Sequence, residues 1–292
     1  EEHLSGEFGT YRGKGLTGHE DIPAEVQIAW EKELAAGGWL GIDFPASIGG
    51  RECTLAEQVV FHLTYVEAKA PGRIPNMGVT LLGPTLMAFG SEAQQQRFVP
   101  KILSGDELWC QGYSEPGAGS DLAGLQTRAE DQGDHWIVNG AKIWTSYANH
   151  ADWIFCLVRT EPDAPKHEGI SFLLFDMASE GVSTSPIKLI SGASPFCQTF
   201  FDNVEVPKGQ LVGERGKGWT IAKRLLQHER QMISGIGGNT ALGGSARALE
   251  NLAKHYLGED DGQISDAVMR DKVARHRMND HAFRLTTARA YE

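Results

Sequence analysis

The sequence lacks the features that mark several large classes of protein. Its four cysteines stand far apart, with no Cys-x-x-Cys pair, at Cys53, Cys110, Cys156 and Cys197. This spacing disfavours a disulfide framework or a zinc site, and it predicts reduced thiols. No apolar run approaches the roughly 18 residues of a membrane-spanning helix. The first residues lack the basic and apolar regions of a secretory leader, so we expect a cytoplasmic protein, or a mitochondrial-matrix protein in a eukaryote.

A basic surface is also missing. Acidic residues outnumber basic ones by 38 to 27, which gives a formal net charge of −11. A nucleic-acid-binding surface is therefore not expected, because such surfaces need clustered lysine and arginine. An anionic small molecule remains compatible, since screening confines charge effects to about 10 Å and a local cationic groove is enough. The histidines form no pair at a metal-ligand spacing, and no metal site is predicted.

Three zones of different hydrophobic periodicity are present. Residues 1–108 repeat apolar side chains at three- and four-residue steps, as helices do, and residues 216–292 do so again. Residues 109–215 contain short aromatic and β-branched runs, which are typical of strands. We therefore expect an α+β fold with an N-terminal all-α domain, a middle antiparallel β-barrel or sandwich domain, and a C-terminal helical bundle. Because the sequence ends inside a helical pattern, we expect that bundle to be incomplete here.

Several local boundaries are predicted within these zones. A helix should start near Pro23, and another should run from Ser91 to Leu103. The pair Asn139-Gly140 predicts the two-residue turn of a β-hairpin, because both residues tolerate a positive φ. One long helix is expected from Trp219 towards Tyr256, and another from Ile264 to Glu292.

Two segments of the middle zone carry residue types suited to a flat heteroaromatic ligand. Ser114 to Asp121 combines a Pro-Gly turn with small residues, which lets backbone N–H groups approach a ligand closely. Asn139 to Ser146 contains Trp144 followed by two hydroxyl residues, which could stack on a ring and hydrogen-bond to its heteroatoms. Taken alone, the first pattern is more often a plain tight turn and the second a core tryptophan.

A third segment places a carboxylate on an apolar helix face. Plotted on a helix, an apolar stripe has Glu229 in its middle and consists of Trp219, Ala222, Leu225 or Leu226, Met232 or Ile233, and Ile236. An apolar environment suits a carboxylate to proton abstraction. The helix plot alone leaves open a solvated glutamate that pairs with a nearby arginine or lysine.

A glycine-rich segment between Gly235 and Gly244 faintly resembles a nucleotide-binding loop. No strand precedes it, and no third glycine falls at the dinucleotide-binding spacing. We therefore interpret it as a small-residue helix face that lets neighbouring helices approach.

Four ordered segments together resemble the acyl-CoA dehydrogenase family: Ser114–Asp121, Asn139–Ser146, Phe201–Pro207 and Gly213–Trp219. The resemblance extends over about residues 30–256. It implies that FAD lies between the middle and C-terminal domains and that an acyl-CoA thioester is desaturated to the trans-2-enoyl-CoA. It also implies a place in fatty-acid or lipid β-oxidation, an electron-transfer flavoprotein as electron acceptor, and a homo- or hetero-oligomer, either dimer or tetramer.

The resemblance also implies roles for individual residues. Glu229 matches the position of the catalytic base in members that resemble isovaleryl- and long-chain acyl-CoA dehydrogenases. Ser120 and Arg230 match positions near the acyl-CoA. Six residues match positions that contact or line the flavin: Gln111, Tyr113, Ser114, Trp144, Thr145 and Ser146.

One departure from the family pattern bears on the cofactor. The family's Arg-x-Phe-Gly segment, which helps to hold FAD across a subunit interface, is replaced here by the acidic stretch from Gly258 to Gly262. Two other functions therefore stay open: an acyl-CoA oxidase or flavin monooxygenase relative that uses oxygen, and a non-catalytic partner subunit of a heteromeric dehydrogenase. The sequence does not predict acyl chain length, branching or steroid character.

Overall fold

A computed structural model of the protein describes residues 3–15, 22–74, 76–234 and 246–289. Residue contacts divide the chain into two compact units, Glu1–Gly238 and Asn239–Glu292. The helices of the first unit are α1 (Gly6–Thr10), α2 (Ala24–Ala36), α3 (Leu55–Glu67), α4 (Gly83–Phe89), α5 (Glu92–Leu103) and α6 (Gly218–Ser234). The first strand begins at Trp109. The change from helix to strand therefore falls near the predicted limit at residue 108, while the three-domain division itself stays a prediction.

The helix boundaries follow the capping chemistry of the sequence. α2 begins directly after Pro23, as predicted. At the start of α5 the Ser91 hydroxyl accepts the backbone N–H of Gln94 at 3.2 Å, and the Gln94 side chain accepts the N–H of Ser91 at 3.0 Å. This reciprocal pair satisfies two backbone donors that the first turn of a helix leaves unpaired. The helix predicted from Ser91 to Leu103 is confirmed.

α6 carries the predicted base and packs against the sheet and the helical zone. Its neighbours are the strand Ile170–Asp176, α4, and the π-helical turn Gly78–Leu82 that leads into α4. The first part of the predicted apolar stripe is confirmed, since Ala222 and Leu225 are buried. The later part, Met232 to Ile236, lies outside the described side chains.

Within the described residues, eight strands form one sheet. They are β1 (Trp109–Gly112), β2 (Arg128–Asp131), β3 (His135–Ser146), β4 (Trp153–Arg159), β5 (Ile170–Asp176), β6 (Val182–Ile187), β7 (Phe196–Pro207) and β8 (Leu211–Val212). Their order is β6-β7-β3-β2-β4-β5-β8, and β1 pairs with β4. The α+β class is confirmed. The sheet is mainly antiparallel, as predicted, but β4 pairs in parallel with both β1 and β2.

The two faces of the sheet carry separate apolar clusters. One cluster contains Trp109, Phe155 and Phe172 together with Leu225 of α6. The other contains Cys110 and Cys156 with residues of β3 and β7. Successive strand residues point to opposite faces, so β1 and β4 contribute alternate side chains to the two clusters. This alternation decides which residues of β1 can reach α6.

The hairpin turn predicted at Asn139-Gly140 is wrong. β3 continues through these residues to Ser146, with shifts of register against β7 between Val138 and Gly140 and again between Lys142 and Thr145. Gly140 has φ +149°, and a Cβ atom at this position would lie 2.6 Å from the Cα of Thr127. The glycine therefore allows a bulge and a close backbone approach rather than a chain reversal.

The second unit contains α7 (Ala246–Leu257), a short hairpin and α8 (Ala267–Arg289). The hairpin joins β9 (Glu259–Asp260) to β10 (Gln263–Ile264), and its two turn residues, Asp261 and Gly262, have φ +49° and +74°. The acidic stretch from Gly258 to Gly262, which replaces the family's Arg-x-Phe-Gly, thus contains β9 and a two-residue turn. The helix predicted from Ile264 onward is present as α8, but it begins later, at Ala267, because Ile264 pairs with β9 as part of β10. Residues 290–292 lie outside the described residues. The glycine-rich segment from residue 235 to residue 244 lies outside the described residues.

All four cysteines lie in described parts of the chain, and all are free thiols. Burial raises the pKa of Cys156 to about 12, so this thiol stays protonated and unreactive near neutral pH. Among the described helices, none combines the length and the apolar character needed to cross a membrane.

Candidate active site

One face of β1 points at α6 and carries two of the predicted site residues. Trp109 and Tyr113 belong to the apolar cluster that also contains Leu225 of α6. Gln111 lies between them and shares their face, because side chains alternate along a strand. Gln111 is half-buried. A polar amide on this apolar face needs a hydrogen-bond partner, since burying it without one is costly.

The partner of Gln111 is Glu229, the predicted base. The Gln111 side-chain Nε2 donates to Oε2 of Glu229 at 3.4 Å, and the two residues are 118 positions apart in the sequence. Glu229 is half-buried and lies one turn beyond the buried Leu225 on α6. Glu229 is thus partly shielded from solvent, and its role as the base stays a prediction. Arg230, the next residue, is exposed.

Tyr113 lies beneath the same carboxylate. Its ring packs edge-on against Phe155 and Phe172, with centroids 6.1 and 6.4 Å apart. Burial raises the pKa of Tyr113 well above its ordinary value, and the negative charge of Glu229 adds to the shift. The hydroxyl has no hydrogen-bond partner within the described part of the chain. Tyr113 therefore offers a neutral O–H donor near Glu229.

The loop after β1 folds back on itself and then opens towards solvent. Glu115 and Ala118 exchange two backbone hydrogen bonds of 3.0 Å, which closes the Pro-Gly turn. The Ser114 carbonyl accepts the N–H of Ile143 at 2.8 Å, which ties this loop to β3. Ser120 is exposed. An added Cβ at Gly117 or Gly119 would meet no atom within 4 Å, so the backbone there is accessible to a ligand.

A buried ion pair joins the two sequence segments that carry the family resemblance. The Lys142 ammonium lies 2.7 Å from Oε1 of Glu115 and also donates to the Tyr113 carbonyl at 3.1 Å. Glu115 further accepts the backbone N–H groups of Gln126 at 2.6 Å and Thr127 at 2.9 Å. Burial alone would raise the pKa of Glu115, but the charge of Lys142 and these hydrogen bonds outweigh it and lower the pKa.

Sequence reasoning missed the role of Glu115 and Lys142. Both stand inside the two segments that were predicted to contact a flat heteroaromatic ligand. The available signal was a charged lysine directly before the apolar run Ile143-Trp144, because a charge buried in a strand needs a partner. The partner could not be identified from spacing alone, since it comes from a different strand end.

Trp144 sits at the second bulge of β3 in an unusual backbone conformation. Its φ is +61°, which costs free energy for a residue with a bulky side chain. The register shift between Lys142 and Thr145 accommodates it. The indole ring is 54% exposed and meets Phe196 edge-on at 6.1 Å. The predicted alternative of a core tryptophan is therefore wrong, because the bulge turns this ring to the surface.

The residues around Trp144 fit a flat, hydrogen-bonding ring such as the isoalloxazine of FAD. The exposed indole offers a stacking surface. The adjoining Thr145 is buried, and its hydroxyl has no partner in the described residues, while Ser146 is half-buried. An orphaned hydroxyl beside an exposed aromatic ring matches a site that a polar heteroaromatic ligand completes. Ser114 joins this group through its bond to Ile143.

A separate cavity of about 600 Å³ opens elsewhere on the first unit. It lies between α5, the β3–β4 connection and the start of β6, and its lining includes Arg97, Glu107 and Asp152. None of the predicted cofactor, substrate or catalytic residues lines it. The predicted site residues therefore lie outside this cavity, on β1 and the loop after it, on β3 and on α6.

Comparisons with known proteins agree with these observations. The acyl-CoA dehydrogenase N-terminal domain matches residues 16–106, and the acyl-CoA dehydrogenase middle domain matches residues 110–204. The acyl-CoA dehydrogenase IpdE1 of Mycobacterium tuberculosis is 40% identical over 291 residues, an alignment that covers 100% of this chain and 75% of that protein.

Solved structures show the same fold. A structure described as the Tcur3481-Tcur3483 steroid ACAD superimposes with a TM-score of 0.80 at 36% identity, covering 97% of this chain and 70% of that one. The ChsE4-ChsE5 complex from Mycobacterium tuberculosis gives a TM-score of 0.76 at 32% identity, covering 89% and 66%. The chain therefore belongs to the acyl-CoA dehydrogenase family of FAD-dependent enzymes.

Proposed function

We propose that this chain desaturates an acyl-CoA thioester between its α and β carbons, with Glu229 as the catalytic base. The observation that carries the proposal is the contact between Glu229 and Gln111, which holds a half-buried carboxylate against the sheet in a chain of this family. A base in this position can remove the α proton of a bound acyl chain.

Bound FAD would supply the acceptor for the hydrogen that leaves the β carbon as a hydride. The chain's own residues then have three tasks: to hold the flavin, to hold the thioester and to take the proton. Glu229 takes the proton, and Ser120 and Arg230 contact the acyl-CoA. The flavin is contacted by Ser114, Trp144, Thr145 and Ser146, and it is lined by Gln111 and Tyr113.

The electrons pass from the reduced flavin to an electron-transfer flavoprotein, and the enzyme works as an oligomer. Two of the similar structures are complexes of two different chains, Tcur3481-Tcur3483 and ChsE4-ChsE5. This likeness supports an assembly with a second copy or with an unlike partner. Because one of these structures is described as a steroid ACAD, a CoA ester with a polycyclic acyl group belongs among the candidate substrates.

A substrate screen tests the proposal. The FAD-loaded enzyme is titrated under anaerobic conditions with straight-chain, branched and steroid acyl-CoA esters, and the oxidised flavin absorbance is followed. We expect at least one ester to bleach the flavin and to yield one enoyl-CoA per flavin. A 2,2-dimethylacyl-CoA is the matched control, because it has no α proton and should leave the flavin oxidised.

Three results would contradict the proposal in different ways. Failure of every ester to reduce a correctly loaded flavin would exclude this reaction for the esters tested. Rapid reoxidation of the reduced flavin by air would assign the chain to the oxidases. A protein that takes up no FAD, alone or with a partner chain, would assign it to the non-catalytic subunits.

A further inference from the structure

The side chain of Gln111 has a geometric relation to Glu229 that the family resemblance does not explain. The resemblance implies only that Gln111 lines the flavin. In the structure its amide Nε2 lies 3.4 Å from Oε2 of Glu229. The two groups come from different elements, β1 and α6, that meet across the apolar cluster containing Trp109, Tyr113 and Leu225.

The surroundings of this contact are unfavourable for a polar group that lacks a partner. Gln111 is the polar residue between Trp109 and Tyr113 on its face of β1, and both of these neighbours are buried. The opposite face of β1 is closed, because a Cβ at Gly112 would meet Ile154 and Cys156 atoms at 2.8 and 2.9 Å. The amide therefore points towards α6, where it meets the carboxylate.

A carboxylate on a helix can adopt several rotamers, and only some of them present an oxygen to a substrate. A hydrogen bond from a fixed strand to one oxygen selects among these rotamers and leaves the other oxygen to accept the proton. A shift of about 1 Å in a reacting group can cost about a hundredfold in rate, so holding the carboxylate has a kinetic consequence.

We propose that Gln111 is a positioning residue for Glu229, which holds Oε2 of the base through its side-chain amide so that Oε1 faces the α carbon of the acyl chain. The inference rests on the proposed function, because it presupposes that Glu229 is the base. It goes beyond that function by giving Gln111, which lines the flavin, a task towards the carboxylate.

A double-mutant cycle on the FAD-loaded enzyme tests this. Gln111→Met keeps the length of the side chain and removes the amide. We expect the limiting rate of flavin reduction to fall roughly ten- to a hundredfold. The flavin spectrum should stay unchanged and the Kd of the acyl-CoA should stay within about twofold of wild type, because the lost contact is with the base. In the Glu229→Gln background the same change should alter the residual rate less than about twofold, because the group that it positions is gone.

Two further variants keep the test decisive. Gln111→Asn retains the amide but withdraws it from Glu229, and it should lose rate as Gln111→Met does, so a poorly folding Met variant does not end the test. Gln95→Met is the matched control: the amide of Gln95 is also half-buried and donates to the Gly90 carbonyl at 3.0 Å, on α5. We expect it to reduce flavin at the wild-type rate.

The outcomes separate this inference from the proposed function. If Glu229→Gln itself reduces flavin at the wild-type rate, the base lies elsewhere and the proposed function fails in that respect. If Glu229→Gln is slow but Gln111→Met and Gln111→Asn are normal, the inference alone is wrong. If the losses of rate from the two single changes multiply in the double variant, the two residues act independently and the inference is wrong. Loss of FAD from Gln111→Met would also overturn it and would assign Gln111 to the flavin.

Discussion

At the scale of single residues, Trp144 has a backbone conformation and an exposure that suit ligand binding and do not stabilise the fold. Its φ of +61° is a conformation in which glycine is preferred, and its ring is more than half exposed. Neither feature stabilises the fold. Both are accounted for if the bulge serves to present an aromatic face to the flavin, since strained backbone is tolerated at sites where the surrounding structure enforces it.

Two substitutions at Trp144 separate the strain from the ring. Both Trp144→Ala and Trp144→Gly remove the stacking surface, so both should raise the Kd of FAD by at least about fivefold, because ring stacking is worth on the order of 1 kcal/mol beyond area burial. The two should differ in stability. Trp144→Gly should be more stable than Trp144→Ala by about 1 kcal/mol, since glycine adopts a positive φ without strain.

Chemical denaturation of the flavin-free variants measures this difference. In an ordinary strand the order would be reversed, because glycine loses more conformational freedom on folding than alanine. An alanine variant that is as stable as the glycine variant or more stable would contradict the strain account. Unchanged FAD affinity in both variants would show that Trp144 does not stack on the flavin.

At the scale of elements, the Glu115–Lys142 pair joins two segments that lie far apart in the sequence. Lys142 comes from β3, two residues before Trp144, and Glu115 follows Ser114 in the loop after β1. The side chains of both are almost fully buried, at 0% and 6% exposed. The pair and its backbone hydrogen bonds therefore fix the distance between the two segments that are predicted to hold the flavin.

Breaking this pair should be costly because one buried charge would be left alone. Glu115→Gln should lower the free energy of unfolding by about 3 kcal/mol, whereas replacing both charges, as in Glu115→Gln with Lys142→Met, should cost less than the sum of the single changes. Asp121→Asn is the matched control. Asp121 lies in the same loop as Glu115, but its ion pair with Lys166 is at the surface. This substitution should cost less than about 1 kcal/mol.

The pH dependence of stability follows from the same pair. The pKa of Glu115 is lower in the folded chain than in the unfolded one, so its contribution is complete above about pH 4.3, the ordinary value for glutamate, and is lost as the pH falls below it. Wild type should therefore lose stability in acid more steeply than the Glu115→Gln, Lys142→Met variant. The free energy of unfolding in urea, measured as the pH is lowered, checks this. If it fell equally steeply for both proteins, the assignment would be contradicted.

The elements also show what local sequence can and cannot predict. The starts of α2 and α5 were predictable from local sequence, because Pro23 directly precedes α2 and the cap of α5 is made by Ser91 and Gln94, which are three positions apart. Two Gly-containing pairs behaved differently. Asn139-Gly140 was predicted to turn and continues as a bulged strand, while Asp261-Gly262 forms a two-residue turn that was not predicted.

The reason for that difference is tertiary. Gly140 lies against the backbone of Thr127, and β3 finds a partner along its whole length in β7. A long partner strand stabilises extension more than a turn preference opposes it. Asp261-Gly262 has no such partner strand among the described residues, and local turn chemistry decides its conformation.

At the scale of the whole molecule, the candidate site is assembled from residues far apart in the chain. The motif segments and the position of Glu229 were identified from their resemblance to a family. The contact of Glu229 with Gln111 spans 118 residues and could not be derived from either segment. The same holds for the ion pair between Glu115 and Lys142. The identity of the site residues therefore stays a prediction from the sequence, and packing determines which of them touch.

The central claim is that Glu229 removes the α proton of an acyl-CoA. Glu229→Gln keeps the shape of the side chain and removes the proton acceptor. Stopped-flow reduction of the bound flavin at saturating substrate measures the affected step directly. Glu205→Gln, at an exposed position on β7, is the matched control and should react like wild type.

The account predicts that Glu229→Gln retains FAD, binds acyl-CoA and reduces its flavin at least about a hundredfold more slowly, the low end for the loss of a positioned base. Reduction at the wild-type rate by a variant that is folded and fully loaded with FAD would contradict the account and place the base in another part of the protein.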